Sequence, residues 1–129
     1  MKRKVIRRLI AGIIGAIAIA AAVPVSANAA QYSVFGYLNT GGSLVQYSTF
    51  RWHVSGEMSM TLSDNVETYS SFGLRGTDGV QQTPSIRFNR SEIHVRKVWG
   101  LATTGNYALN GRMGATTWAD NKWEGYIVL

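Results

Sequence analysis

From residue 31 onward, apolar and polar side chains alternate with a period of two, and Gly, Asn and Asp punctuate the alternation. That period marks antiparallel strands with one face to a core and one to water, and the punctuation marks tight turns. The cleanest stretch is Glu57-Met58-Ser59-Met60-Thr61-Leu62, which puts Met58, Met60 and Leu62 on one face. Residues 32–38 predict a first strand, closed by the turn Thr40-Gly41-Gly42. Residues 44–54, with Tyr47, Phe50 and Trp52, predict a long second strand that Ser55-Gly56 interrupts. After the turn Ser63-Asp64-Asn65, residues 67–74 resume as strand with Phe72 and Leu74 on one side. Residues 77–84 are poor in apolar side chains and predict the longest loop.

Further on, Ile86 and Phe88 mark a short strand, and Ile93, Val95 and Trp99 another, before a turn at Thr103-Thr104-Gly105-Asn106. Asn110-Gly111 is the strongest short hairpin signal in the chain. It predicts a reversal after Tyr107-Ala108-Leu109, with residues 112–118 returning and Gly114 as a bulge. The competing reading runs one strand straight through the dipeptide. Residues 122–129 are apolar on both faces toward their end, which predicts an interior strand or a covered edge. Beyond residue 30 no stretch holds the i, i+3, i+4 repeat over the ten or so positions a helix needs. About eight short strands predict a small antiparallel β-sandwich, with a small β-barrel as second choice.

The first thirty residues follow a different pattern. Lys2, Arg3, Lys4, Arg7 and Arg8 form a basic head, an uninterrupted apolar run follows to Val23, and Pro24 breaks it. Ser26-Ala27-Asn28-Ala29 then supplies small residues at the spacing a signal peptidase reads. The apolar run is shorter than the roughly 20 residues a membrane span needs. Residues 1–29 are therefore expected to be a removable signal peptide in the style of a Gram-positive bacterium, and residues 30–129 a single secreted β domain without a membrane anchor. Arg7-Arg8 hints at twin-arginine export, but its surroundings match that signal poorly.

The leader also dominates the charge. The whole chain carries 13 Lys and Arg against 7 Asp and Glu. Residues 30–129 hold eight of the basic residues and all seven acids, a net charge of +1. Binding to a phosphate backbone scales with the number of charges neutralised, so nucleic acid is not an expected partner. The absence of cysteine excludes thiol chemistry and Cys-based zinc sites.

Few residues suggest chemistry. His53 precedes Glu57 by four residues, and Glu92 and His94 share a strand face, but no dense ligand spacing accompanies them, so no metal and no cofactor is expected. No serine sits in a G-x-S-x-G elbow. Glu57, Glu67, Glu92 and Glu124 each read as the polar member of an alternation. Asp64, Asp78 and Asp120 lie in turns, where bonding to the local backbone explains them. Asn89-Arg90-Ser91 matches a glycosylation triplet, without weight for a bacterial exporter. A non-enzyme is expected.

All 4 Trp, 6 Tyr and 4 Phe fall beyond the leader. About half of the tryptophans are expected in the core. Trp99, Trp118, Trp123 and Tyr126 lie near turns and are the candidates for a binding surface, because aromatics there can stack on sugars or anchor an interface. The first strand, with Tyr32, Val34, Phe35 and Tyr37, is the candidate edge that receives a partner strand or is itself donated. The expected function is non-catalytic binding of another extracellular protein, as adaptor, inhibitor or assembly component. A carbohydrate- or cell-wall-binding module is the alternative. A membrane-active toxin, with residues 54–62 as the inserting strand, is the third.

Overall fold

The computed structural model describes residues 29–129, so the expected leader lies outside the described residues except for Ala29. Among the described residues nine strands form and there is no helix. They are β1 (Gln31–Tyr37), β2 (Val45–Gln46), β3 (Arg51–His53), β4 (Gly56–Asp64), β5 (Ser70–Arg75), β6 (Ile86–Phe88), β7 (Arg96–Ala102), β8 (Gly105–Met113) and β9 (Lys122–Val128). Two antiparallel sheets result. One has the order β1-β9-β4-β7; the other has β2-β8-β5-β6, with β3 also paired to β8. The sheets pack face to face without closing into a barrel, which makes the domain a small β-sandwich.

The core is the shared inner face. Val34, Met58, Met60, Leu62, Trp99, Trp123 and Ile127 come from the first sheet, and Phe72, Leu74, Phe88, Tyr107, Leu109 and Met113 from the second. The Trp123 and Phe72 rings meet across the interior with centroids 4.7 Å apart. Trp99 crosses the same gap and donates its Nε1–H to the Phe72 carbonyl at 2.9 Å. The predicted alternation of β4 holds, with Met58, Met60 and Leu62 fully buried. Ser59 and Thr61 are buried as well, because β4 is flanked by β7 and β9. Pairing with β7 and β9 makes β4 an interior strand of its sheet.

The last strand is interior, as expected, lying between β1 and β4. Three expectations need correction. Residues 44–54 do not form one regular strand; they follow β8 as the short β2 and β3, with an irregular step at 47–50. The strand expected from Ile93 begins only at Arg96. Asn110-Gly111 is not a hairpin: β8 runs straight through it, and Gly111 pairs with Phe72 on one side and Val45 on the other. The expected return strand over 112–118 is consequently absent beyond Met113, and the segment that follows is irregular.

Candidate functional site: the open seam beside β1

Among the described residues, strand β1 pairs with β9 alone. Ala30 and Leu129 exchange both main-chain hydrogen bonds, at 2.8 and 2.9 Å, and the register continues unbroken from Gln31–Val128 to Tyr37–Lys122. Because antiparallel pairs alternate in the direction of their N–H and C=O groups, the even-numbered residues of β1 face β9 and the odd-numbered ones face away. The outward groups belong to Gln31, Ser33, Phe35 and Tyr37. Among the described residues only the Tyr37 carbonyl of these is engaged, accepting from the Tyr47 hydroxyl at 3.0 Å.

Opposite this edge stands the irregular stretch 47–51 of the other sheet. The gap between the two is a cleft of about 470 Å³, solvent mouth included, lined by Ser33, Val34, Phe35, Tyr47, Thr49, Arg51, Leu109 and Trp123. Tyr47 closes one end of it. Its ring packs edge-on to Trp123 at 5.5 Å, and its hydroxyl accepts the Trp123 Nε1–H at 2.8 Å while donating to Tyr37. Gly36 makes room for that ring, since a Cβ there would stand 2.7 Å from Tyr47 Cε1. Burial pushes the Tyr47 phenol above its ordinary value, and the hydrogen bond from Trp123 opposes that shift. Arg51 lies over the Tyr32 ring at 5.2 Å and puts one positive charge at the cleft.

The candidate residues divide between this seam and the core. Val34 is buried and anchors β1, while Tyr32 is half-buried against the core. Phe35 and Tyr37, 73% and 64% exposed, lie on the outer face of the first sheet, where Tyr126 is half-buried. The candidate strand is docked along β9 over Gln31–Tyr37. Trp99 and Trp123 are core side chains rather than exposed platforms, and Trp123 reaches the cleft as part of its wall. Trp118 is 88% exposed in the loop before β9 and is not among the residues that line the cleft. Sequence reasoning missed Tyr47, Thr49 and Arg51, because an irregular edge carries no periodic signal.

The polar candidates do not gather. Among the described residues no three His, Asp or Glu side chains cluster as metal ligands. Glu57 is paired with Arg96 at the surface. Lys97 holds the Glu92 carboxylate at 2.7 Å, and that bond keeps the carboxyl below the ordinary carboxylate range. His53 is buried, with neither ring nitrogen hydrogen-bonded among the described residues, and packs edge-on to Tyr107.

No family model matches the chain, and no curated protein matches it. Solved structures of the infectious bursal disease virus VP2 protein share a distant likeness. The VP2 subviral particle aligns with a TM-score of 0.38 and 11% identity over 79% of this chain and 33% of that one. The Gt strain structure aligns with a TM-score of 0.32 and 12% identity over 78% of this chain and 30% of that one. The chain thus spans about a third of the length of these structures, and a likeness of that degree carries no argument about function.

Proposed function

We propose that the chain is a secreted, non-catalytic binding domain that accepts an extended segment of another extracellular protein along the free edge of β1. The observation that carries this reading is the row of main-chain groups at Gln31, Ser33 and Phe35, unpaired among the described residues and set beside an open cleft. Such a row is a template for an added strand, and proteins that do not use their edges blunt them with charge, proline, bulges or short length.

The other edges are blunted in these ways. Strand β7 carries Arg96 and Lys97 and a bulge opposite Met58 and Ser59. Strand β6 has three residues, one of them Arg87. The β2–β3 edge is broken into pieces of two and three residues. Strand β1 is seven residues long, regular, uncharged and free of proline, QYSVFGY. An incoming strand would meet Tyr47, Thr49 and Arg51 across the cleft, and Phe35 and Tyr37 on the outer face.

Substitution of Ser33 by proline tests this directly. Its N–H points away from β9, so the native ladder survives while the edge loses a donor in its middle. The domain captured from its host's culture fluid is expected to bring down a stoichiometric protein. Ser33→Pro and Phe35→Lys should each lose that protein while keeping the wild-type unfolding temperature within a few degrees. A partner retained by both variants, or the absence of any stoichiometric partner, would overturn the reading.

A further inference from the structure

The charges divide unevenly between the two sheets. Strands β4, β7 and β9 of the first sheet mix Glu57, Asp64 and Glu124 with Arg96, Lys97 and Lys122. The strands of the second sheet hold Arg51, Arg75, Arg87 and Arg112 and no acidic residue. Register puts three of these on the outer face. Phe72 and Leu74 point inward, so Ser71, Gly73 and Arg75 lie outward, and their partners Arg112, Asn110 and Ala108 lie outward with them. Arg87 is opposite Ser71 on the other side. Arg87, Ser71 and Arg112 therefore form one row across three neighbouring strands.

A groove of about 660 Å³, open to solvent, follows this face and is lined by Leu44, Ser71, Gly73, Gln81, Ser85, Asn110 and Arg112. Its floor is backed by a buried cation. Arg75 is only 7% exposed, and no carboxylate pairs with it among the described residues. Its guanidinium is held by neutral oxygens: Nη1 donates to the Leu109 carbonyl at 3.0 Å and to Asn110 Oδ1 at 2.5 Å, and Nη2 to the Tyr47 carbonyl at 2.5 Å. Asn110 is itself 4% exposed. Because its oxygen is committed to Arg75, its amide N–H₂ is the end left for the groove. A buried charge without a counter-ion, beneath a groove of hydroxyl, amide and guanidinium donors, makes the local potential positive in a domain of near-neutral net charge.

We propose that this face binds an acidic polysaccharide. Arg112 and Arg87 meet its anionic groups, and Ser71, Gln81, Ser85 and Asn110 bond its hydroxyls. The same face continues past Phe50, whose ring lies 5.4 Å from the Arg75 guanidinium, to Trp52, which is 54% exposed and opposite Asn106. From Asn106 to Arg112 is about 20 Å at roughly 3.4 Å per strand residue, a track suited to a chain rather than a single ion. Three arginines are few for a phosphate backbone, whose affinity grows with each charge neutralised. Hydroxyl-matching amides and serines favour the glycan.

The test titrates the intact domain with polygalacturonate, heparin, neutral dextran and a thymidine oligonucleotide by calorimetry. At least one acidic glycan should bind, dextran should not, and affinity should fall about tenfold or more as salt is raised from 50 to 500 mM. Preference for polygalacturonate assigns the anionic group as carboxylate, and preference for heparin assigns it as sulfate. The Arg87→Glu/Arg112→Glu double variant should lose binding with an unchanged melting temperature, and Ser71→Asp, which leaves the Asn110–Arg75 bond in place, should lose it too. No binding of either acidic glycan, tighter binding of the oligonucleotide, or full binding by the double variant would overturn the proposal. Ser33→Pro should bind the glycan like wild type, so failure at β1 and failure here are read separately.

Discussion

Gly111 sits where β8 crosses the centre of the core. A Cβ at that position would stand 2.7 Å from Leu38 Cδ2 and 3.0 Å from Phe72 Cε1, and both side chains are buried. Gly111→Ala should therefore cost about 1–3 kcal/mol through overpacking, seen as a lower urea midpoint with an unchanged slope. A variant as stable as wild type would mean that Leu38 or Phe72 has room to move. The same contact explains why the hairpin expectation failed. Asn-Gly is a turn signal because both residues tolerate positive φ. In this chain each residue answers a tertiary demand instead: Asn110 Oδ1 receives Arg75, and Gly111 admits Leu38 and Phe72. Those partners are far away in sequence, so the local pattern could not separate a turn glycine from a packing glycine.

Strand content was legible because alternation is local; strand partners were not. The run from Tyr32 to Leu38, the Met58-Met60-Leu62 face and the interior position of the last strand were all read correctly. Yet most connections cross between the sheets: β1 leads to β2, β3 to β4, β4 to β5, β6 to β7, β7 to β8 and β8 to β9, each time changing sheet. A short Gly- or Asn-containing link looks the same whether it closes a hairpin or bridges a sandwich. The bulge in β7 shows what an element can do beyond its alternation. Met58 pairs with Gly100 and Ser59 with Val98, which leaves Trp99 as the extra residue, and Gly100 has a φ of 114° that suits glycine. The bulge aims Trp99 across the core to the Phe72 carbonyl. Trp99→Phe keeps an aromatic ring but removes that inter-sheet bond and part of the buried volume. It should lower stability by about 1–3 kcal/mol in chemical denaturation, with the strand signal in circular dichroism preserved. An unchanged midpoint would show that the bond contributes nothing to holding the sheets together.

At the scale of the whole molecule, the seam and the acid-free face exist only once strands are assigned to sheets, which is why composition showed a net charge of +1 and no patch. The two surfaces meet at Tyr47. Its carbonyl receives Arg75 from the acid-free face, and its hydroxyl joins Trp123 to Tyr37 at the seam. That hydroxyl also ties global stability to pH. Burial raises the Tyr47 phenol above its ordinary value of 10.0, so the folded domain holds this proton more tightly than the unfolded chain does. The native state then binds more protons across the window above pH 10, and stability falls as pH rises through it. Below the unfolded value the contribution is complete. Tyr47→Phe should be less stable than wild type at neutral pH by about 1–2 kcal/mol, since it removes the acceptor for Trp123 and the donor for Tyr37. Only wild type carries this proton, so the stability difference between the two proteins should narrow as pH is raised above 10. Urea midpoints at pH 7, 9, 10 and 11 measure it. A difference that stays constant to pH 11 would mean that the Tyr47 phenol ionises as readily in the folded domain as in the unfolded chain, and that the seam is wetter than its packing against Trp123 implies.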